Sequence, residues 1–583
     1  MPCFGLTEPT AGSDAASIKA EGVVFKDDDG EAKIRLNFSK RYITLAPVAN
    51  IVSLACSLHD PDNLLGKGAF PGISVVMLEK GMPGLELGDH HLPIGAFDNG
   101  PIYGSDVVAP VDNIVGGVEG AGQGWRMLME QLGGGRAVSL PASGVALAKT
   151  SARATGPYSI VREQFGIPIG LMEGVEAKIA RIAALTYTLD SARVYVCAGV
   201  DNGHHPPVIS AILKQQTTEI GQQLVTDGMD VMAGAGVMLG PNNILGAGYT
   251  GAPVSITVEG ANILTRTLMI FGQGAVRCHP HALETLNAVQ ADDVAAFRKA
   301  ILGWMGHSFK NFFRGIGRSL TRGWTVRTPV KDETAQYFRK LGWAASRFAF
   351  MTDLAMFLVG GKLKQRGKLS GRFSDALSWM LFGVTTLRRF EAEGRRKEDL
   401  PLVHWALRYS LLQIQQAFEG IYANFDVPVL GWILRYPGRF WLRINPLSSG
   451  PRDSMDRAVA ASIQKPGEQY QRVVGGMSTP RDDEPGMGRL LHAWRLVSEA
   501  QGATLKVRKA LHKKQIKAAG LVDAIDPALD AGVITADEAD IIRRAEAARM
   551  EAIKVDTFSS EEYYKDDVSD NREAPPMKRA ANE

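Results

Sequence analysis

The sequence predicts an α+β protein of several domains, in which a β domain comes first and helical domains follow. Its 583 residues, 45% of them hydrophobic and 22% charged, are enough for several separate cores. From Ala20 to about Val115, short segments rich in Val, Ile and aromatic residues alternate with Gly, Pro and Asp turns, as is typical of strands. From Gly124 to about Gly240, apolar residues recur at spacings of three and four, which indicates long helices.

These changes of pattern divide the chain into four parts. We predict a β domain over 1–118, a helical bundle over 119–282 and a further helical domain over 283–556. The last part, 557–583, has an acidic patch, two adjacent prolines and few large apolar residues, and we expect it to be a disordered tail.

Composition excludes several classes of function. A formal net charge of +3 is small for this length, so no nucleic-acid partner is expected. The four cysteines lie far apart and form no C-x-x-C pair, which fits a reducing compartment. No metal site is expected either, because the stretch from Cys278 to His281 has no second ligand pair at zinc spacing.

Two short stretches are candidate functional sites, and the residues alone leave both open. Thr7–Asp14 reads T-E-P-T-A-G-S-D, which is a surface turn or a turn that points donors inward. Glu259 stands between Val258 and Gly260, where its carboxylate is either a solvated group at a helix start or a desolvated general base with a raised pKa.

Five motifs occur in order along the chain. They are C-F-G-L-T-E-P-T-A-G-S-D at 3–14, K-R-Y-I-T-L-A-P at 40–47, G-Q-G-W-R-M-L at 122–128, R-x-x-F-G at 162–166 and V-E-G-A-N-I-L-T-R at 258–266. Each alone would be weak, but together they resemble one known family, the acyl-CoA dehydrogenases. The stretches 270–280 and 400–405 further resemble its bacterial FadE-type branch with a C-terminal helical extension, so the similarity covers nearly the whole chain apart from the tail.

The resemblance implies a fold and a set of site residues. It implies a β-barrel middle domain, a helical bundle that carries the catalytic Glu259, and FAD as the cofactor. The implied cofactor-binding residues are Phe4, Leu6, Thr7, Tyr42, Ile43, Thr44, Arg162, Phe165, Gly234 and Gly236, of which Arg162 and Phe165 would reach the FAD of a neighbouring subunit. The implied substrate-binding residues are Ser13, Arg136 and Gly260.

The resemblance also implies an activity. An oxidoreductase of this family converts fatty acyl-CoA to trans-2-enoyl-CoA, the first step of fatty-acid β-oxidation, and an electron-transfer flavoprotein accepts its electrons. A homo-oligomer and a cytoplasmic location follow from the same resemblance. The alternatives are an acyl-CoA oxidase on the same scaffold and a non-catalytic fragment. Since relatives have a helical domain before the first flavin motif, the chain is expected to be truncated at its N-terminus.

The stretch 427–443 in the predicted extension has two interpretations. It interleaves Trp, Tyr and Phe with Arg, a composition that suits peripheral contact with a membrane such as the inner membrane. A helix pair packed in the core, with Arg side chains reaching outward, would have the same composition.

Overall fold

The computed structural model of the protein describes residues 1–204 and 206–565, which form two compact units. One unit contains Met1–Ala148, Ala184–Leu224 and Ala247–Met455. The other contains Lys149–Ala183, Val225–Gly246 and the chain from Asp456 onward.

The first unit begins with one mixed sheet. Its strands are β1 (Pro2–Gly5), β2 (Glu21–Lys26), β3 (Ala32–Thr44), β4 (Ile51–His59), β5 (Gly72–Glu79), β6 (Leu85–Glu86) and β7 (Asn99–Pro110). They pair in the order β1-β4-β2-β3-β7-β6, and β5 also pairs with β4. β1 and β2 run parallel to β4, whereas β2–β3, β3–β7, β4–β5 and β6–β7 are antiparallel.

Strand β3 shows why these segments are strands. Alternate side chains from Ile34 to Lys40 are buried and those between them are exposed, which is the period of two that a half-buried strand requires. Ile34 and Leu36 join Leu54 and Ile102 of neighbouring strands in the core of the sheet. A register shift between Lys40 and Ile43 marks a bulge, which changes the direction of the residues within it.

A buried ion pair ties the first loop of the chain to this sheet. Lys40 is fully buried, and its Nζ lies 2.7 Å from Oε1 of Glu8 and donates to the carbonyl of Leu6 at 3.1 Å. Glu8 also accepts hydrogen bonds from the backbone N–H groups of Lys19 and Ala20. Burial alone would raise the pKa of Glu8, but these hydrogen bonds and the charge of Lys40 outweigh it and hold that pKa below its usual value.

Helices make up most of the remaining chain. They include two π-helical stretches, Thr265–Gln273 and Leu434–Gly438, and 3-10 turns at Ala15–Ser17, Ala46–Val48, Val111–Asn113, Ile169–Leu171, Gly360–Lys364, Lys397–Asp399 and Val522–Ala524. A two-stranded hairpin, β8 (Glu163–Gln164) and β9 (Ile167–Pro168), interrupts them. The helices are α1 (Gly117–Gly120), α2 (Gly124–Ala137), α3 (Ser139–Val161), α4 (Glu173–Asp201), α5 (Pro207–Met232), α6 (Gly234–Val237), α7 (Gly246–Thr257), α8 (Asn262–Leu264), α9 (Gly274–Cys278), α10 (Ala282–Gln290), α11 (Val294–Leu320), α12 (Ala335–Leu358), α13 (Gly367–Ala392), α14 (Leu400–Ala423), α15 (Leu430–Ile433), α16 (Arg439–Ile444), α17 (Asp453–Gln464), α18 (Glu468–Val474), α19 (Met487–His512), α20 (Ile525–Asp530), α21 (Ala536–Ala552) and α22 (Ser560–Lys565).

Each unit has its own helical packing. In the first, α13 packs on α14 and on the π-helix Thr265–Gln273, where the rings of Phe271 and Phe373 stack 4.3 Å apart. In the second, α19 packs on α21 through small residues such as Ala503 and Ala539. Small side chains allow two helices to approach closely, so the contact between α19 and α21 buries their shared faces.

The predicted order of a β domain followed by helices is confirmed, with two differences in detail. The strands of the first domain form an open half-barrel sheet instead of a closed barrel, since no pairing joins β6 to β5 among the residues described. The short helix α22 lies within the predicted tail, and residues 566–583 of that tail lie outside the described residues. No helix in the described part of the chain combines the length and hydrophobicity that crossing a bilayer requires.

The buried pair of Lys40 and Glu8 makes a prediction about stability. Replacing Lys40 by Met leaves the Glu8 carboxylate buried without its cation, which we expect to lower the free energy of unfolding by about 3–5 kcal/mol in urea titrations. The exposed pair of Lys67 and Glu119 is the control, and Lys67→Met is expected to cost less than about 1 kcal/mol. Equal effects of the two substitutions would contradict a structural role for the buried pair.

Candidate active site

Glu259 lies on a tight turn between α7 and α8, in a backbone conformation that few residues adopt. Its φ is 53° and that of Gly260 is 99°, so two successive residues have positive φ. Glycine accepts this geometry freely, but a residue with a Cβ does so at a cost of about 1–3 kcal/mol, which the surroundings must offset. Such strained positions cluster at functional sites.

Two cationic side chains hold this turn through its backbone carbonyls. Arg136 of α2 donates from Nε to the Glu259 carbonyl at 2.7 Å. Lys214 of α5 is fully buried and donates from Nζ to the Gly260 carbonyl and to Oδ1 of Asn262, both at 2.8 Å. Thr265 donates its hydroxyl to the Gly260 carbonyl at 3.2 Å. The turn is therefore fixed from three elements.

The Glu259 carboxylate itself has an unsatisfied oxygen. Its Oε2 is buried and has no hydrogen-bond partner. Burial raises the pKa of Glu259 above its usual value, and the charges of Arg136 and Lys214 limit that rise. Burial lowers the pKa of Lys214 to about 8, and it also lowers the pKa of Arg136. A half-buried carboxylate with one unpartnered oxygen and a raised pKa is suited to taking up a proton.

A glycine on α2 provides the space for this carboxylate. A Cβ added at Gly135 would lie 2.5 Å from Oε1 and 2.6 Å from Oε2 of Glu259, closer than such atoms can approach. The neighbouring glycines differ, because a Cβ at Gly133 or Gly134 would meet no atom within 4 Å. Of these three positions, only 135 must be glycine for the Glu259 carboxylate to keep its place.

The first loop and the bulge of β3 lie against one another in the first unit. The backbone N–H of Arg41 donates to the Thr7 carbonyl at 3.0 Å, and its guanidinium donates to the Pro9 carbonyl at 3.0 Å. Phe4, on β1, is 39% exposed, whereas Leu6 is half-buried. Five of the eight residues of Thr7–Asp14 are exposed, so this stretch is a surface turn, and the Lys40–Glu8 pair and the Arg41 contacts attach it to the sheet. Its contact with a cofactor stays a prediction.

The bulge presents Tyr42 and buries Ile43. Tyr42 has a φ of 59° and an exposed ring, with the Arg41 guanidinium 4.9 Å from its centroid and the His91 ring 5.3 Å away. Arg41 Nε and His91 Nε2 are buried and lack hydrogen-bond partners. The Ile43 side chain lies in the core of the sheet, so only its backbone remains for a cofactor contact. Thr44 is exposed and accepts a hydrogen bond from Asn99 at 3.5 Å.

Four of the predicted cofactor-binding residues lie in the second unit. Phe165 and Gly166 form the tip of the β8–β9 hairpin with φ values of 54° and 77°, and the Phe165 ring is 95% exposed. Arg162 is half-buried just before the hairpin. Of the two glycines in α6, Gly234 has open space around it, whereas a Cβ at Gly236 would meet the Met229 carbonyl oxygen at 2.9 Å.

The structure groups some predicted residues and adds others. Of the predicted substrate-binding residues, Gly260 and Arg136 lie at the Glu259 turn, and Ser13 is exposed on the first loop. Their contact with substrate stays a prediction. The sequence patterns miss Lys214, Asn262 and Gly135. Asn262 lies within the motif at 258–266 but has no predicted role, and Lys214 and Gly135 lie outside the five motifs. The glycine run ahead of Arg136 was the available signal for Gly135.

The stretch around His279 forms a separate buried polar cluster in the first unit. Asp353 accepts hydrogen bonds from His279 Nε2 at 2.8 Å, Trp304 Nε1 at 3.0 Å and the Ser308 hydroxyl at 2.8 Å, and His307 lies 3.3 Å away. Nδ1 of His279 accepts from two backbone N–H groups, so its Nε2 carries the proton. These hydrogen bonds give the polar atoms of Asp353 and His279 partners within the protein, as in a structural network of the core.

Three family models match successive parts of the chain. The model described as "Acyl-CoA dehydrogenase, middle domain" matches residues 3–107, and "Acyl-CoA dehydrogenase, C-terminal domain" matches 122–270. "Acyl-CoA dehydrogenase, C-terminal, bacterial type" matches 276–558.

Curated relatives and a solved structure add to these matches. "Protein HemX" of Proteus mirabilis is 45% identical over 103 residues, which are 18% of this chain and 61% of that protein. "Probable acyl-CoA dehydrogenase FadE10" of Mycobacterium tuberculosis is 28% identical over 446 residues, 73% of this chain and 65% of that protein. The chain thus spans less than two thirds of either relative.

The solved structure shares the fold. It is an acyl-CoA dehydrogenase from Bacillus anthracis in complex with FAD, with a TM-score of 0.63 at 18% identity, covering 79% of this chain and 75% of that one. The three family models together reach from residue 3 to residue 558. The chain therefore belongs to the acyl-CoA dehydrogenase family of oxidoreductases.

Proposed function

We propose that this chain carries the catalytic site of an FAD-dependent acyl-CoA dehydrogenase that converts fatty acyl-CoA to trans-2-enoyl-CoA, the first step of fatty-acid β-oxidation. One observation carries the proposal: the half-buried Glu259 has one buried carboxylate oxygen without a hydrogen-bond partner, on a turn held by Arg136 and Lys214. Membership of the family supports it, because the motif around Glu259 lies within the matched region 122–270.

The residues present suit FAD. The side chains of Arg41 and His91 both contact the exposed Tyr42 ring, and their Nε and Nε2 atoms are buried without partners, which a planar, acceptor-rich ring system would satisfy. Phe4, Thr7 and Thr44 of the first unit would complete this wall. When bound, FAD supplies the acceptor for the hydride that leaves the substrate β-carbon.

The protein residues would do the proton chemistry. A C–H group next to a thioester carbonyl is a weak acid, so a base with a pKa near the working pH is needed. Burial raises the pKa of Glu259, which is the direction that this requirement demands. Arg136 and Lys214 hold the turn that positions the carboxylate.

The partners and location follow the same proposal. We propose an electron-transfer flavoprotein as electron acceptor, a cytoplasmic location with peripheral contact to the inner membrane, and a homo-oligomer. The Phe165 ring supports the homo-oligomer, because an aromatic side chain that is 95% exposed at a hairpin tip is suited to contact with another subunit.

Two alternative functions have their own signatures. Peroxide formed from acyl-CoA without an added acceptor would favour the oxidase instead, and a purified chain that binds no FAD would favour the non-catalytic fragment.

Removal of the base tests the assignment directly. Glu259→Gln keeps the side-chain shape but cannot accept the proton, so acyl-CoA-dependent bleaching of the flavin absorbance should slow about 1,000-fold while FAD stays bound. Glu130→Gln, an exposed position on α2, is the matched control and should bleach at the original rate. Bleaching that persists in Glu259→Gln would show that another group is the base.

Crowding of the carboxylate is a second test. Gly135→Ala places a methyl group where the Glu259 oxygens lie, so we expect bleaching to slow about 100-fold through displacement of the base. Gly134→Ala on the same helix has open space and should leave the rate unchanged. If the two variants bleach at equal rates, the packing of Glu259 against α2 is not needed for activity.

The pH dependence is a third test. The carboxylate form of Glu259 is the base, so the bleaching rate should rise with pH through its raised pKa. Lys214→Met removes a positive charge that lowers this pKa, and the rise should therefore move to higher pH. Lys26→Met, at an exposed position of the sheet, should leave the profile in place. A profile of Lys214→Met that is unshifted, or shifted to lower pH, would contradict the electrostatic link.

A further inference from the structure

Helix α11 exposes an apolar stripe that a folded protein would ordinarily bury. Its buried side is formed by Ala300, Trp304, Asn311 and Ser319. The opposite side has large apolar residues at spacings of three and four, and each is between 43% and 67% exposed. They are Leu302, Met305, Phe309, Phe313, Ile316 and Leu320.

The segment 432–444 continues this surface within the same unit. Trp432, Tyr436, Phe440 and Ile444 follow one another at intervals of four residues, and each is at least half exposed. The indole N–H of Trp441 donates to the Ser319 hydroxyl at 2.8 Å, so the segment packs against the buried side of α11, and the stripe residues Ile316 and Leu320 lie at the boundary with it. Between them lies an apolar groove of about 400 Å³.

The charge of this surface has one sign. The ranges 302–320 and 432–444 contain six Lys or Arg residues and no Asp or Glu, although the whole chain has a net charge of only +3. Lys310 and Arg314 are exposed next to the apolar stripe. Acidic partners outside these ranges, Asp426 and Glu419, contact two of the arginines of the segment 432–444, Arg435 and Arg443. Within the described part of the chain, Lys310 and Arg314 of α11 form no such ion pair.

We propose that 302–320 and 432–444 form a docking surface for the face of an anionic lipid bilayer. Exposed aromatic and aliphatic side chains would enter the boundary between headgroups and acyl chains, while the Lys and Arg side chains would contact the phosphates. A second copy of the same surface fits poorly, because a symmetric contact would place basic residues against basic residues. This docking surface rests on the peripheral membrane contact proposed above. Within the stretch 427–443, Leu434 and Leu442 are buried, and the exposed rings of Trp432, Tyr436 and Phe440 would meet the bilayer.

Flotation of the full chain with lipid vesicles tests this surface. We expect binding to vesicles of phosphatidylcholine with about 30% phosphatidylglycerol at about 0.1 M salt, and much weaker binding to pure phosphatidylcholine or at about 0.5 M salt. Binding is measured without substrate or turnover, so its failure and the failure of the catalytic proposal are separate results.

Two double variants and two matched controls locate the contact. Lys310→Glu with Arg314→Glu, and Phe313→Ala with Phe440→Ala, should each lower the bound fraction about tenfold. Lys26→Glu with Lys80→Glu, and Phe70→Ala with Val522→Ala, change exposed residues elsewhere and should bind like the original chain. Melting temperatures within about 3 °C of the original would show that all four variants are folded.

Three results would overturn the proposal. The original chain could fail to float with anionic vesicles, or the surface variants could bind as well as their controls. Sedimentation of lipid-free protein is the third measurement: if the original chain forms an oligomer that Phe313→Ala with Phe440→Ala dissociates, the surface belongs to a second copy.

Discussion

The geometry of the site depends on two cationic side chains that hold one strained turn. Arg136 and Lys214 come from different helices and donate to the successive carbonyls of Glu259 and Gly260. These hydrogen bonds offset the cost of the positive φ of Glu259, and the same charges limit how far burial raises the pKa of the carboxylate. The same two cationic side chains therefore influence both the position and the pKa of Glu259.

In the β domain, a single buried ion pair holds a loop in place. Lys40 occupies a core position of β3, where an apolar side chain would ordinarily stand, and its charge is compensated by Glu8 of the first loop. Because Glu8 also accepts two backbone N–H groups, the loop is fixed against the strand whose bulge presents Tyr42. One interaction thus connects the two segments that the family resemblance assigns to the flavin.

The extension uses charge in a different way. In the active site and in the sheet, cationic side chains are buried and have hydrogen-bond partners. On the surface of 302–320 and 432–444, Lys310 and Arg314 are instead exposed beside exposed aromatic rings. That arrangement has no stabilising role within the folded chain, since exposed apolar area is not removed from water. The proposed docking on an anionic bilayer would bury this apolar area, and the absence of acidic residues from the two ranges agrees with a partner of that charge.

The sequence by itself determined the order of a β domain and helices, and its motifs pointed to the acyl-CoA dehydrogenase family, because residue periodicity and ordered motifs are local properties. The tertiary structure decided what depends on side chains distant in sequence. It placed Lys214 and Gly135 next to Glu259. It also showed that the Ile43 side chain is buried and that the loop at Thr7 is hydrogen-bonded to β3. It also showed the aromatic residues of 432–444 exposed, which composition could not distinguish from a buried helix pair. Burial is set by what packs against a residue, and no local pattern contains that information.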